Sequence, residues 1–216
     1  MARESSLEQR GDDLMVLVAD GNMKAAVEGL LSRPAALGIS EVAFSVVPHP
    51  ERDPGCFLRA PEFLQPFRPR FTHALVMLDH EGSGRERMTR QAMEQDLEKR
   101  LRKSWGKTAA ALVIEPELEA WWWSDSPHVA TVLGWREPSL RKWLATEGYL
   151  AEGAAKPVRP KRAVEEALRI ARRPRSSSLY RQLAEQVSVR RCEDRTFQRF
   201  RRILRRWFQS ESPPLC

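Results

Sequence analysis

Short, continuous apolar runs constrain the fold of this chain more than any other feature of its sequence. Residues 14–19 read LMVLVA, residues 74–78 read ALVML, and residues 109–114 read AAALVI. Such runs, without polar alternation, are typical of strands in a parallel sheet, whose two faces are both covered by other elements. A fourth strand is predicted at residues 41–47, EVAFSVV.

The segments between these strands have helical spacing. Helices are predicted at residues 23–32 and 85–103, each with apolar residues along one face. Residues 48–70 contain six prolines and are predicted to form a loop with a short helix near residues 56–64. Strands that alternate with helices indicate an α/β domain with a mainly parallel sheet, which we place at residues 1–125.

The second half of the chain is helical and basic. Helices are predicted from Glu117 onward, at residues 139–145, 160–172, 178–186 and 196–208. Residues 1–125 carry 16 Lys/Arg and 20 Asp/Glu, whereas residues 126–216 carry 20 and 9. We therefore predict a basic α-helical extension at residues 126–216, packed on the α/β domain. An acidic half and a basic half suggest a metal on the first and a polyanion on the second.

Several classes of protein are not expected. The longest apolar runs are far shorter than the roughly 20 residues that span a bilayer, and the N-terminal sequence MARESSLEQRGDD lacks the apolar core of a signal peptide. The three cysteines are scattered and show no CxxC or Cys/His spacing, which argues against a disulfide framework and a zinc site. The expectation is a cytoplasmic protein with no membrane partner.

Acidic residues follow the predicted strands. Asp20 comes after the first strand, Asp79 and Glu81 after the third, and Glu115 after the fourth. Ligands of parallel sheets gather beyond the carboxyl ends of the strands, and Mg²⁺ or Mn²⁺ prefers carboxylate oxygens. We predict that Asp79 and Glu81 bind this metal and that Asp20 is a third ligand or a general base. The alternative is that these acids only cap helices at the rim of the sheet.

Two neighbouring features allow more than one interpretation. Glu119 either completes the metal site or is a carboxylate favoured by a helix N-terminus. The three consecutive tryptophans at residues 121–123 cannot all face one side of a helix. Core packing is favoured for them, and the alternative is that at least one stacks on a nucleobase.

A basic, serine-rich segment is a candidate for phosphate contacts. Arginine forks and hydroxyl groups are good phosphate ligands, and Ser178 could cap the helix that follows. The predicted nucleic-acid contacts are Lys161, Arg162, Arg172, Arg173, Arg175 and Ser176. The alternative is a solvated basic surface.

The two acidic motifs resemble the TOPRIM fold, in which a first strand ends in an acidic residue plus Gly and a later strand ends in Asp-x-Asp/Glu. DHEGSG followed by IEPELEAWWWSD is similar to small TOPRIM-like proteins of bacterial defence loci, which are related to OLD-type TOPRIM nucleases. The resemblance implies a TOPRIM-like sheet flanked by helices. It also implies that Asp20 stands where that family has an invariant glutamate, and that Asp79 and Glu81 stand for its acidic pair.

Two functions follow from this resemblance. The first is a metal-dependent nuclease, or another phosphodiester-acting component, of a bacterial anti-phage defence system. The second is a catalytically weak TOPRIM-like subunit that binds nucleic acid or assembles a defence complex. Asp20 in place of glutamate and Lys24 in place of a second acid favour the second function. A third option is an interaction protein whose tryptophans form the interface.

Overall fold

The computed structural model describes residues 12–123, 126–136, 139–188 and 192–209. Within them, four strands form one sheet in the order β2-β1-β3-β4, and every neighbouring pair is parallel. The strands are β1 (Asp12–Val18), β2 (Phe44–Pro48), β3 (Phe71–Asp79) and β4 (Ala109–Ile114). The predicted α/β class with a parallel sheet flanked by helices is therefore confirmed, and the predicted bounds of β4 are those observed.

Helices fill the segments between and after the strands. They are α1 (Gly21–Leu31), α2 (Pro34–Leu37), α3 (Arg52–Leu64), α4 (Arg90–Trp105), α5 (Pro127–Leu133), α6 (Leu140–Thr146), α7 (Pro160–Ile170), α8 (Ser177–Gln186) and α9 (Arg195–Phe208). None of the described helices is long and apolar enough to cross a bilayer.

Three local predictions were wrong. The helix expected near residues 56–64 begins earlier, at Arg52, so α3 occupies most of a segment predicted to be mainly loop; Pro54 fits its first turn, where a backbone N–H has no intrahelical partner. Helix α4 begins five residues later than predicted, since Thr89 caps it by accepting a hydrogen bond from the Ala92 N–H at 3.2 Å. The helix expected from Glu117 is a single 3₁₀ turn, Leu118–Trp121.

The order of the strands reverses between β1 and β3. The chain leaves β1 through α1 toward β2 on one side, and leaves β3 through α4 toward β4 on the other. Right-handed connections place α1 and α4 on opposite faces of the sheet, so the loops after β1 and β3 diverge. The crevice between those loops is the topological switch point, where ligands of such sheets bind.

The three consecutive tryptophans lie in the hydrophobic core, as the favoured interpretation predicted. Trp121 packs against Phe197 and Phe200 of α9, with ring centroids 5.1 and 5.5 Å away, and its Nε1 donates to Thr196 Oγ1 at 2.7 Å. Trp123 Nε1 donates to the Pro160 carbonyl at 3.1 Å. These side chains join the sheet to the C-terminal helices and are not available as an interface or for base stacking.

Ion pairs also join the two halves of the chain. Arg181 of α8 pairs with Glu28 of α1, and Arg199 of α9 pairs with Glu94 and Glu98 of α4 at 3.1 and 2.9 Å. Part of the basic excess of the second half is therefore matched by acids of the first half. The basic helices thus pack on the α/β region, while the proposed division at residue 125 lies outside the described residues.

Side chains satisfy backbone groups on the outer edge of β4. Glu98 Oε1 accepts a hydrogen bond from the Ala111 N–H at 3.3 Å, and Glu94 Oε1 accepts one from the Val113 N–H at 3.1 Å. Arg199 Nη2 donates to the Ala111 carbonyl at 3.3 Å. Among the described residues, no strand pairs with these groups on that side, so the carboxylates and the guanidinium satisfy their hydrogen-bonding capacity instead.

The N-terminus of α9 depends on Asp194. Its Oδ1 accepts hydrogen bonds from the N–H groups of Thr196 and Phe197, at 2.8 and 3.1 Å, and its Oδ2 pairs with Lys156. Burial alone would raise the pKa of Asp194. The hydrogen bonds donated by Lys156 and Thr196 outweigh it and hold this pKa below its ordinary value.

We expect Asp194→Ala to lower the free energy of unfolding by about 1–2 kcal/mol at pH 7, the usual loss for an N-cap. The pKa of Asp194 is lower in the folded than in the unfolded protein. Its negative charge therefore stabilises the fold above the ordinary carboxyl pKa, and this stabilisation is lost as the pH falls through the pKa of the folded state. Urea unfolding at pH 7 and pH 3 measures both effects. Asp194→Asn, which can still cap, should lose less at pH 7, and an alanine variant as stable as the wild type would contradict the capping role.

Candidate functional site

A cavity of about 400 Å³ lies at the carboxyl ends of β1 and β3, at the switch point. Of the described residues, six carboxylates and three cationic side chains line it. The carboxylates are Asp20, Glu51, Asp53, Asp79, Glu81 and Glu119, and the cations are Arg52, Lys161 and Arg175. All four predicted metal ligands therefore line one cavity, together with two of the predicted nucleic-acid contacts.

Asp20 is held by the helix that it caps. Its Oδ1 accepts hydrogen bonds from the N–H groups of Asn22 and Met23, at 2.9 and 2.8 Å. Within the described part of the chain, Oδ2 accepts no hydrogen bond. Asp20 thus caps α1, as the alternative interpretation expected, and also presents a carboxylate to the cavity.

A hydrogen bond from the backbone of Asp79 to the side chain of Asp53 links these two residues. The Asp79 N–H donates to Asp53 Oδ1 at 2.8 Å, and Asp79 Oδ1 accepts from the Leu118 N–H at 2.9 Å. Burial, followed by the negative charges of Asp53 and Glu119, raises the pKa of Asp79 well above its ordinary value. Burial is also the main cause of the raised pKa of Asp53, to which the charge of Asp20 adds. The hydrogen bond from the Asp79 N–H to its carboxylate places Asp53 next to Asp79.

Asp53 is a site residue that the sequence reasoning missed. It lies in the first turn of α3, in the proline-rich segment expected to be loop. Its position shortly after β2 could have indicated this role, because acidic residues that follow the carboxyl end of any strand in a parallel sheet can reach the same edge of the sheet.

Glu81 is exposed at the rim of the cavity. Its N–H donates to the Pro116 carbonyl at 3.0 Å, and Gly82 follows with a φ of 87°, a left-handed conformation that glycine adopts without strain. His80, between the two acids, hydrogen-bonds the Met88 carbonyl through Nε2 at 2.8 Å. As predicted, the alternating chain therefore brings Asp79 and Glu81 to the cavity, while His80 contacts the loop before α4.

Glu119 is buried and bonded to two residues of the basic segment. Its Oε1 accepts hydrogen bonds from the Tyr180 hydroxyl and from Arg175 Nη2, the latter at 3.1 Å. Arg175 Nε also donates to the Tyr180 hydroxyl at 2.8 Å. Burial, with the nearby Glu119 charge, raises the pKa of Tyr180, so the phenol stays protonated. Glu119 thus anchors a guanidinium at the cavity wall, and its service as a metal ligand stays a prediction.

Lys161 brings positive charge to the aspartates. Its N–H donates to Glu117 Oε1 at 2.8 Å, and its Nζ lies 4.0 Å from Glu117 Oε2. Burial is the main cause that raises the pKa of Glu117 to about 6. The charge of Lys161 partly opposes the rise in the pKa values of Asp53 and Asp79.

The other predicted phosphate contacts lie outside the cavity lining. Arg162 and Arg172 are exposed, whereas Arg173 Nη1 donates to the Val132 carbonyl near the end of α5. Ser176, not Ser178 as predicted, is the N-cap of α8, because its hydroxyl accepts from the Leu179 N–H at 3.3 Å. Arg173 and Ser176 therefore have structural partners, and the contacts of this group with nucleic acid stay predictions.

The described carboxylates do not form a complete metal site by themselves. In the described residues, no group of three or more His, Cys, Asp or Glu side chains is arranged to hold a metal ion by itself. Mg²⁺ is commonly bound by one or two carboxylates, with water and substrate phosphate as the other ligands. One carboxylate oxygen of each of Asp20, Asp53 and Asp79 accepts a hydrogen bond from a backbone N–H. The second oxygen of each could therefore bind a metal.

Comparison with known proteins does not identify a family or a function for this chain. A scan against protein-family models and searches of curated proteins and of solved structures gave no match to the chain.

We expect Asp79→Asn to raise the free energy of unfolding in EDTA at pH 7, by on the order of 1 kcal/mol. The raised pKa means that the folded state holds this proton more tightly than the unfolded state. The ionised carboxylate therefore opposes folding above its ordinary pKa. Asparagine removes the charge and can still accept from the Leu118 N–H.

Urea unfolding at pH 7 and pH 4 tests this expectation. The gain should vanish at pH 4, where the carboxyl group is largely protonated in the folded protein. Glu62→Gln, an exposed position near the far end of α3, is the matched control and should leave stability unchanged. A lower stability of Asp79→Asn at pH 7 would contradict the proposed repulsion.

Proposed function

We propose that this protein is a metal-dependent, TOPRIM-like phosphodiesterase that acts on nucleic acid in a bacterial defence system, with Mg²⁺ or Mn²⁺ as its cofactor. The observation that carries the proposal is the set of three aspartates at the switch point, each fixed through one carboxylate oxygen. Lys161 and Arg175 in the same cavity supply the positive charge that a phosphate needs. This mixture of charges is suited to a metal bound together with a phosphate.

The roles of the residues follow from their contacts. Asp79 and Glu81, with Asp53 beside them, would hold the metal, and Asp20 would act as a base or a further ligand. A bound divalent ion would neutralise charge on the phosphate and lower the pKa of a water molecule. In hydrolysis, the water oxygen forms a bond to phosphorus and the bond from phosphorus to a sugar oxygen breaks. The water gives one proton to Asp20, and the sugar oxygen leaves with a proton from solvent.

A second candidate is a catalytically weak subunit of the same fold that binds nucleic acid or assembles a defence complex. Lys24, at the position where the related nucleases have an acid, lies 3.8 Å from Glu28 and is absent from the cavity lining. Glu119 is already bonded to Arg175 and Tyr180. Both observations reduce the number of carboxylates available to a metal and favour binding without turnover.

Cleavage assays separate the two candidates. Plasmid, single-stranded DNA and RNA are incubated with the protein in Mg²⁺ or Mn²⁺. The wild type should cleave at least one of them. Asp79→Asn and the double variant Asp79→Ala/Glu81→Ala should lose about 10²-fold or more of that rate, because the reacting groups are no longer positioned.

The matched control is again Glu62→Gln, which should cleave at the wild-type rate. Cleavage by both Asp79 variants at the wild-type rate would show that this cavity is not the active site. Intact substrates together with salt-sensitive binding would favour the second candidate.

The exposed arginines predict a separate effect on binding. We expect Arg162→Ala/Arg172→Ala to weaken nucleic-acid binding without a change in the urea midpoint, since both side chains lie on the surface. Each lost phosphate contact should reduce the slope of log affinity against log salt by about 1. An unchanged slope, measured by fluorescence anisotropy, would show that these arginines are only a solvated surface.

A further inference from the structure

The cavity is lined by residues from both halves of the chain. Asp20, Asp53 and Asp79 lie on the side of the sheet edge, and Lys161, Arg175 and Tyr180 come from the C-terminal helical region. Proteins that hold the interior of a single strand use a groove that follows the backbone for about 4–16 nucleotides. A volume of about 400 Å³ instead falls in the range of small-molecule pockets, about 300–1,000 Å³.

The helical wall is firmly attached to the rest of the protein. The Lys161 N–H donates to Glu117 at 2.8 Å, and Ser177 Oγ donates to Asn22 Oδ1 at 3.0 Å. Helices α1 and α8 pack so closely that a Cβ atom at Gly29 would lie 2.8 Å from the Cβ of Ala184. A continuous strand could not enter by lifting this wall without breaking these contacts.

The cationic side of the cavity suits a group with more than one negative charge. Arg175 is held by the Tyr180 hydroxyl at 2.8 Å and by Glu119 and Glu165 at 3.1 and 3.2 Å, and Lys161 lines the same cavity. A phosphate monoester carries about −1.5 to −2 at neutral pH, whereas a phosphodiester carries about −1. Because carboxylates outnumber cations in the lining, such a group would also need a divalent cation beside it.

We propose that the cavity binds the phosphate-terminated end of a nucleic-acid strand, together with a divalent cation, and excludes the interior of a strand. This inference rests on the proposed function and names the substrate class of the same site. Lys161 and Arg175 contact the terminal phosphate monoester, and the aspartates share the divalent cation with it.

The test compares one single-stranded DNA sequence in three forms: linear with a 5′-phosphate, linear with a 5′-hydroxyl, and ligated into a circle. Binding is measured by competition in Ca²⁺, which also prefers oxygen ligands, and cleavage is measured in Mg²⁺ or Mn²⁺. The phosphorylated linear form should bind at least about tenfold more tightly than the circle. The same preference should disappear in EDTA.

Lys161→Met tests the cationic side without endangering the fold. It removes the ammonium group from a partly exposed side chain and keeps the backbone hydrogen bond to Glu117. We expect it to weaken binding of the phosphorylated end by about tenfold and to leave binding of the hydroxyl end nearly unchanged. Lys142→Met, on an exposed face of α6, is the matched control and should behave like the wild type.

The outcomes separate this inference from the proposed function. A circle that binds and is cleaved as well as the linear forms would overturn end recognition and leave the phosphodiesterase intact. Selective binding of the phosphorylated end without any cleavage would support end recognition and count against hydrolysis. Equal binding of a free nucleoside 5′-monophosphate would overturn a strand end as the ligand.

Discussion

Val16 of β1 lies opposite Leu75 of β3, and the parallel register continues to Leu17 and Val76; β3 then extends to Asp79, which pairs with Ile114 of β4. This pairing joins two strands whose onward connections run in opposite directions. The chain therefore separates beyond Asp20 and Asp79 and leaves a crevice that neither loop fills. Every other feature of the site depends on this arrangement, because the backbone N–H groups that orient the aspartates lie along its rim.

Arginines from both halves of the chain hold the basic C-terminal half against the α/β region. Arg33 Nη1 donates to carbonyls near the end of α8, at 2.7 and 3.0 Å, and Arg205 Nε donates to the Leu37 carbonyl at 2.9 Å. Together with the ion pairs of Arg181 and Arg199, these bonds dock the helices onto the α/β region. The number of arginines thus overstates the number of phosphate contacts, because some of their N–H groups already donate to backbone carbonyls.

The sheet and part of the site could be predicted from the sequence for a clear physical reason. A strand covered on both faces must be apolar throughout, so β1, β3 and β4 are visible as uninterrupted runs, and the acids after them are easy to locate. Asp53 and the Arg175–Tyr180–Glu119 cluster could not be found in this way. Their positions depend on contacts between residues far apart in the chain, such as the hydrogen bond from Asp79 to Asp53, for which the local sequence has no pattern.

The side chains along the outer edge of β4 have a consequence for assembly. An unpaired edge strand is an open template on which another chain can add a strand, whether in a specific complex or in an aggregate. Glu94, Glu98 and Arg199 already bind the backbone groups that an added strand would need. A partner strand could therefore extend the sheet past β4 only by displacing these three side chains, of which Glu94 is buried.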